Sequence, residues 1–108
     1  MKRIDVEVLA LATALAVVLS LSLPLRAQNA SETLYKAKCA ACHGADGSGS
    51  PIGKKMGAHD FTTADVQKMS DTELADTIAT GKNKMPKYGS LKPEDIKGLV
   101  VYIRTLKK

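Results

Sequence analysis

The C-terminal end of the chain repeats apolar residues with the period of an amphipathic helix. Apolar side chains recur every three or four positions at Ile96, Leu99, Val100, Ile103 and Leu106. This spacing places them along one face of a helix, with polar residues on the other face. A proline and two acidic residues precede the stripe, and both residue types are favoured in a first helical turn. The pattern therefore predicts a final helix with one buried face.

Two further helices are predicted from their capping residues. Ser70 and Glu73 have the spacing of a capping box, in which each side chain accepts a hydrogen bond from the backbone N–H of the other residue. Gly81 suits the end of the same helix, because glycine readily adopts the backbone conformation that follows a last turn. Asn29 and Glu32 repeat the capping-box spacing and predict the start of a first helix, which runs into both cysteines.

The rest of the pattern predicts loops rather than strands. Residues 44–53, "GADGSGSPIG", are rich in glycine and serine and predict a long loop. No stretch has the alternation of apolar and polar residues that is typical of a strand, and the sequence has no internal repeat. The fold class expected is therefore all-α.

The N-terminal region has the pattern of a targeting segment. Two basic residues precede an apolar run at residues 8–23, and this run is shorter than the roughly 18 residues expected of a membrane helix. Small residues up to Ala27 then suit a signal peptidase. We predict a signal peptide at residues 1–27 and a mature domain at residues 28–108. The alternative is an uncleaved N-terminal membrane anchor, because acidic residues interrupt the region that should be basic. Both interpretations export the domain.

The composition excludes one class of partner and leaves little material for a core. The chain of 108 residues has 16 Lys and Arg against 11 Asp and Glu, a formal net charge of +5. It is too poor in aromatic residues and in dense basic runs for a nucleic-acid binder. The chain has one Phe, three Tyr and no Trp. Small domains with so little material for a core often need a metal, a disulfide or another cross-link for stability. A large buried cofactor would add the apolar surface that this core lacks.

The stretch "CAACH" at residues 39–43 holds both cysteines and one of the two histidines. A structural zinc site needs four ligands and would require His59 as well, but Cys42 and His43 are neighbours whose side chains diverge by about 100° on a helix. A thioredoxin-like redox pair would follow a strand in a βαβ unit, which the pattern does not predict. A disulfide is possible in an exported protein, but it would leave His43 without a role.

Attachment of a c-type haem uses every residue of this motif. Cys39 and Cys42 stand three positions apart, so their sulfurs come close on a helical turn and can form thioethers with the two vinyl groups of the porphyrin. His43 follows directly and can bind the iron through its imidazole as the proximal ligand. The motif therefore predicts one covalent haem c per chain.

Three segments of the chain resemble the class I c-type cytochromes, in particular the short bacterial monohaem kind. The segments are "LYKAKCAACHGADGSG", "TIATGKNKMPKYGSL" and "LKPEDIKGLVVYIRTL", and they cover nearly all of the predicted mature domain. The resemblance implies a small cytochrome c fold of about three to four helices around one haem. It also implies that the first and last helices cross with Tyr35 and Tyr102 in contact. Ser31 stands at this crossing, where the family often has glycine.

The resemblance also assigns the second iron ligand. Met85 lies in "KMPKYG", before the last helix, where the family has its distal methionine. A thioether sulfur is a soft ligand that favours reduced iron and raises the reduction potential. Met56 and His59, in the loop after the haem motif, are the rival ligands. For the second ring nitrogen of the proximal histidine, the resemblance implies a hydrogen bond to a backbone carbonyl at Pro51 or Ser50.

The function expected is electron transfer by a monomeric periplasmic protein that performs no bond chemistry on a substrate. It would carry one electron between respiratory or related redox partners, and it would contact a membrane only if the N-terminal segment is retained. Lysines that flank the motif or the methionine segment would steer an acidic partner; they are Lys36, Lys38, Lys54, Lys55, Lys82, Lys84 and Lys87.

Two alternatives belong to other functional classes. The first is a haem enzyme or gas sensor with an open distal site, such as a peroxidase-like protein. The second is a helical interaction module without haem, in which the two cysteines form a disulfide.

Overall fold

The computed structural model describes residues 25–108. This part of the chain contains six helices and no strand: α1 at residues 25–38, α2 at Ala40–His43, α3 at Pro51–Lys55, α4 at Ala64–Gln67, α5 at Asp71–Thr80 and α6 at Pro93–Thr105. The prediction of an all-α fold is confirmed. The predicted signal peptide lies outside the described residues, apart from residues 25–27 at the beginning of α1. Among the helices from residue 25 onward, none is both long and apolar enough to cross a membrane.

The first helix differs from its prediction at both ends. The chain is already helical at residue 25, so the predicted cap at Asn29 is wrong and this residue lies inside the helix. The preceding residues, "LRAQ", all have good helix propensity and allow the helix to continue on the N-terminal side. At the other end, Cys39 is a turn residue between α1 and α2, although its N–H still donates to the Tyr35 carbonyl at 2.8 Å. The haem motif therefore lies at a break between two helices.

The two longer helices that follow agree with the sequence pattern. The capping box of α5 is present: Ser70 Oγ accepts a hydrogen bond from the Glu73 N–H at 3.1 Å, and Glu73 Oε2 accepts one from the Ser70 N–H at 2.7 Å. The predicted apolar stripe of α6 is buried at its centre, at Leu99, Val100 and Ile103. These residues belong to a core that α1, α5 and α6 share.

A short helix begins inside the predicted loop of residues 44–53. Ser50 Oγ accepts a hydrogen bond from the Gly53 N–H at 3.0 Å, and Pro51 occupies the first helical position, so both features start α3 here. The helices α3 and α4 have five and four residues, which is too short for an apolar period to predict them. Residues 44–50 are irregular, as predicted.

Tyr35 and Tyr102 meet where α1 contacts α6, as the resemblance implies. Their ring centroids are 4.9 Å apart, and Tyr35 is fully buried. Ser31 lies against Gly98 of α6, where an added Cβ would collide with the Ser31 hydroxyl oxygen. The close approach of the two helices therefore depends on a glycine in α6 rather than in α1.

Arg104 fixes α6 to the turn before α5. Its guanidinium donates to the backbone carbonyls of Gln67 and Met69, at 2.9 and 2.6 Å, and to the Asp71 carboxylate at 2.8 Å. Because three acceptors hold the guanidinium, Arg104 is part of the framework on which the site is built.

Candidate haem site

A cleft brings together the four predicted haem residues. Cys39, Cys42, His43 and Met85 all line it, although the methionine is far from the other three in the sequence. The further lining residues come from three places: Lys38 before the motif, residues 56–59 after α3, and the segment from Thr77 in α5 to Tyr88.

The haem motif is held by the loop that follows it, and we call residues 39–53 the motif segment. The Gly49 N–H donates to the His43 carbonyl at 2.7 Å, and the Ser50 N–H donates to the Cys42 carbonyl at 3.0 Å. The last carbonyls of a helix have no partner inside it, so these two bonds satisfy the end of α2 and fold the loop back onto the motif.

A glycine allows α3 to pack directly on the motif. A Cβ on Gly53 would collide with the Cys42 carbonyl group. The Ser50 hydroxyl adds a hydrogen bond of 2.6 Å to the Ala41 carbonyl from the same side. The backbone of the motif is therefore fixed by close packing as well as by hydrogen bonds.

Cys39 and Cys42 lie partly buried in the cleft wall. Before a haem is attached, burial raises the pKa of the Cys39 thiol to about 11. Two thiols at this spacing in one cleft fit the two thioether bonds of a c-type haem.

His43 lies between an aromatic ring and a backbone carbonyl. Its imidazole stacks on Phe61, with ring centroids 4.2 Å apart and an interplanar angle of 20°. Its Nδ1 lies 3.4 Å from the His59 carbonyl oxygen, a long hydrogen bond in which the nitrogen must donate. Because Nδ1 carries the proton, Nε2 keeps its lone pair for a metal. Burial lowers the pKa of His43 and so favours the neutral ring, the form that binds metals.

The carbonyl that contacts Nδ1 differs from the prediction, which is wrong for both Pro51 and Ser50. The Ser50 carbonyl accepts a hydrogen bond from the Lys54 N–H at 2.9 Å, because the chain enters α3 at this point. A helix uses the carbonyls of its first turn for its own hydrogen bonds. The position beside His43 is therefore filled by His59, from farther along the chain.

Met85 lies in a tight turn within residues 82–91, which we call the Met85 loop. Two backbone hydrogen bonds pair Lys82 with Met85, at 3.2 Å from the Lys82 N–H and 2.9 Å from the Met85 N–H. Asn83 between them has a φ of 53°, in the left-handed region that asparagine tolerates better than most residues. A Cβ on Gly81 would lie 2.7 Å from the Met85 carbonyl oxygen, so the chain needs glycine where it leaves α5.

The donor set and its surroundings fit a c-type haem. Two thiols at the motif spacing, an imidazole with Nε2 available and a thioether line one cleft. Apolar side chains suited to a porphyrin face complete the walls, among them Met56, Ala58 and Pro86. In residues 25–108, no group of three or more His, Cys, Asp or Glu side chains could hold a metal ion by itself, so the zinc interpretation finds no support there.

A comparison with protein families matches residues 26–103 to the family described as "Cytochrome C oxidase, cbb3-type, subunit III". The match includes the motif segment, the Met85 loop and most of α6. The chain belongs to this family of c-type cytochromes. As a class I monohaem c-type cytochrome, it carries a covalently bound haem c and takes part in haem-based electron transfer.

Two solved structures are similar to this cytochrome over most of its length. One is named "KustC0563 c-type cytochrome", with 36% sequence identity, a TM-score of 0.67, and coverage of 72% of this chain and 98% of that chain. The other is a tyrosine-to-phenylalanine mutant of Kustc0563, with 34% identity, a TM-score of 0.64, and coverage of 71% of this chain and 98% of that chain. A comparison with curated proteins gave no match. Each of the two similar proteins is therefore matched over nearly its whole length by a single domain of this cytochrome.

Two aromatic residues shape the site of the cytochrome without being predicted from the sequence. Phe61 stacks on His43, and Tyr88 lines the cleft three residues after Met85. The Tyr88 hydroxyl donates to the Lys38 carbonyl at 3.0 Å. The chain has only one Phe and three Tyr, so each aromatic residue is a candidate for a contact in the site. This small number is the sequence feature that could have indicated Phe61 and Tyr88.

The charge around the cleft of the cytochrome has one sign. Lys38, Lys82 and Lys84 line it and are exposed, and no Asp or Glu of the described chain lines it. The ion pairs formed among residues 25–108 involve other lysines and Arg104. The cleft is therefore bordered by positive charge that has no local counter-charge.

Proposed function

We propose that this cytochrome is a periplasmic electron carrier whose haem is attached through Cys39 and Cys42 and ligated by His43 and Met85. The observation that carries the proposal is that these four side chains line a single cleft. Family membership supplies the haem, and the chain supplies two thiols, an imidazole and a thioether where a c-type haem needs them.

When bound, the haem supplies a one-electron couple between ferric and ferrous iron. The residues of the chain hold and orient it. The carbonyl at Nδ1 of His43 fixes the tautomer and the direction of Nε2, and the stacked Phe61 ring limits rotation of the imidazole. An electron carrier needs ligands that stay in place in both oxidation states. The contacts of His43 with the His59 carbonyl and with Phe61 would hold the imidazole in this manner.

We favour Met85 over His59 and Met56 as the second iron ligand because of the positions of His59 and Met56 in the fold. A second side chain that would hold the iron together with His43 would have to come from another part of the cleft. The His59 backbone contacts the Nδ1 of the His43 ring, so His59 lies in the same part of the cleft as His43. Met56 precedes it in a segment that is hydrogen-bonded back to α3, against the motif. Met85 instead comes from the separate loop after α5.

The Met85 side of the cleft supports a carrier rather than an enzyme. Peroxidase-like chemistry would need an acid–base group beside an open iron position. Among the described residues, this side contributes no His, Arg, Asp or Glu to the cleft; it contributes Thr77, Lys82, Asn83, Lys84, Met85, Pro86 and Tyr88. Arg104 is held in the framework by Asp71 and two carbonyls.

The partners we propose are redox proteins with acidic docking surfaces. The uncompensated lysines at the cleft would attract such a surface and speed its encounter with the haem edge. We further propose that a signal peptide of residues 1–27 is removed on export, leaving residues 28–108 in the periplasm. The intact mass of the exported protein distinguishes this from a retained membrane anchor.

The visible spectrum of the exported holoprotein tests the ligation. We expect a low-spin haem with a methionine–iron charge-transfer band in the ferric form, and no carbon monoxide binding in the ferrous form. Met85→Ala should abolish the band and open the iron to carbon monoxide, whereas the matched control Met56→Ala should keep both properties of the wild type. A wild-type haem that is high-spin and binds carbon monoxide would refute the carrier and favour a haem enzyme or gas sensor.

A further inference from the structure

Few hydrogen bonds join the Met85 loop to the rest of the described chain, although Met85, Tyr88 and Leu91 also pack against the core. Inside the loop, Lys82 pairs with Met85, and the Leu91 N–H donates to the Tyr88 carbonyl at 3.1 Å. Between the loop and the other residues of the described chain, two hydrogen bonds are formed, and Tyr88 donates both. Hydrogen bonding therefore holds the loop in place through one residue.

The two hydrogen bonds of Tyr88 reach different parts of the molecule. Its backbone N–H donates to the Ile78 carbonyl of α5 at 2.9 Å. Its hydroxyl donates to the Lys38 carbonyl at 3.0 Å, and Lys38 directly precedes Cys39. Both Lys38 and Tyr88 line the cleft, so the hydroxyl joins the Met85 wall to the haem-motif wall.

The Tyr88 hydroxyl remains a donor at neutral pH. The ordinary pKa of tyrosine is about 10, and burial raises the pKa of Tyr88 further. A carbonyl oxygen can only accept, so the direction of the bond is fixed. Loss of the hydroxyl would remove the loop's hydrogen bond to Lys38, the residue before the motif, and leave its hydrogen bond to α5 intact.

We infer that Tyr88 is a positioning residue for Met85, and that its hydroxyl holds the loop that carries the thioether against the haem motif. The inference rests on the proposed function, because it takes Met85 as an iron ligand. An added ligand that competes with Met85 binds only when the loop is open, so its apparent affinity depends on the population of the open loop. Loss of a hydrogen bond that is formed only in the closed loop raises this population.

Imidazole titration of the oxidised holoprotein tests the inference, with loss of the methionine–iron charge-transfer band as the readout. Tyr88→Phe removes the hydroxyl and keeps the ring, and we expect it to bind imidazole about fivefold more tightly than the wild type, the effect of one ordinary hydrogen bond. Tyr35→Phe is the matched control, because the Tyr35 hydroxyl also donates to a backbone carbonyl, that of Gly44, at 2.8 Å. It should lower the free energy of unfolding and leave the imidazole affinity unchanged.

Two results would overturn the positioning role. One is an imidazole affinity of Tyr88→Phe equal to that of the wild type. The other is an equal increase in Tyr88→Phe and Tyr35→Phe, which would indicate general destabilisation. Met85→Ala separates these results from failure of the proposed function. If the band survives in Met85→Ala, the assigned ligand is wrong and the positioning role is wrong with it. If Met85→Ala loses the band while Tyr88→Phe behaves as the wild type, only the positioning role is wrong.

Discussion

The motif segment and the Met85 loop both line one cleft but are held in different ways. The motif segment is fixed by hydrogen bonds from its own loop and by the contact of Gly53 with the Cys42 carbonyl. The Met85 loop is paired internally, and within the described chain its hydrogen bonds to other segments both come from Tyr88. The segment that would carry the attachment and proximal ligand is therefore the more constrained of the two.

This difference separates two requirements of a haem site. The attachment residues must be placed correctly before and after the thioethers form, and close backbone packing achieves this. A methionine ligand must only be kept near the iron, and a loop that packs on the core with few hydrogen bonds to other segments is sufficient. Damage to the motif segment should therefore affect the whole holoprotein, whereas damage to the Met85 loop should affect the sixth ligand first.

The largest effect is expected from Gly53→Ala in the motif segment. The new methyl group would overlap the Cys42 carbonyl, so α3 or the motif must move. We expect the free energy of unfolding to fall by about 3 kcal/mol, together with a lower yield of haem-loaded protein. Denaturant unfolding and the ratio of haem to protein absorbance measure both effects.

Gly98→Ala is the control for this prediction. An added Cβ on Gly98 would overlap the Ser31 hydroxyl oxygen, and Gly98 does not line the cleft. The free energy of unfolding should fall by about 2 kcal/mol, with normal haem content. Equal losses of haem-loaded protein in both variants would show that the contact with the motif has no special effect on haem attachment.

A smaller and more local effect is expected from Gly81→Ala, next to the Met85 loop. Gly81 has a φ of 73° and a ψ of 168°, a conformation that is essentially limited to glycine, and its Cβ would lie 2.7 Å from the Met85 carbonyl oxygen. We expect a loss of about 2 kcal/mol and a weakened methionine–iron band, with normal haem content. The spectrum of the purified variant shows whether attachment and ligation are separated in this way.

Gly89→Ala provides the matched substitution at the other end of the same loop. Its Cβ would approach only the Ala79 carbonyl oxygen, at 3.1 Å, and its φ is not in the left-handed region. The band should be retained. Loss of haem from Gly81→Ala, or loss of the band from Gly89→Ala, would contradict the proposed division between the two regions.

The sequence predicts those parts of this cytochrome that depend on neighbouring residues. The stripe of α6 and the capping box at Ser70 are local patterns, and both are present. The haem motif is equally local. The predicted cap at Asn29 is wrong, because the residues before it also favour a helix and a capping pattern cannot exclude a longer one.

What the sequence did not predict depends on contacts between distant segments. The His59 carbonyl beside His43 and the Tyr88 hydroxyl on the Lys38 carbonyl join residues that are far apart in the chain. Neither contact follows a periodicity or a motif. The space that Gly98 leaves for Ser31 is of the same kind, since it exists only when α1 and α6 are packed.

The smallest effect is expected from charge, in which the two regions also differ. The motif segment contains no lysine and one aspartate, whereas the Met85 loop contains three lysines and no acidic residue. Lys82 and Lys84 of this loop line the cleft. An anionic reactant should therefore approach the haem on the Met85 side, and screening by salt should slow it. Hexacyanoferrate(III) is a suitable anionic oxidant for the reduced holoprotein.

We expect the double variant Lys82→Gln, Lys84→Gln to be oxidised about threefold more slowly than the wild type at low salt. A whole charged cleft can raise an association rate about tenfold or more, and two lysines account for part of this effect. The rate of the double variant should also depend less on ionic strength. The control is Lys97→Gln, Lys107→Gln, which removes the same charge from positions outside the cleft lining. If the two double variants slow oxidation equally, the net charge of the protein governs the encounter and the Met85 loop has no special part in it.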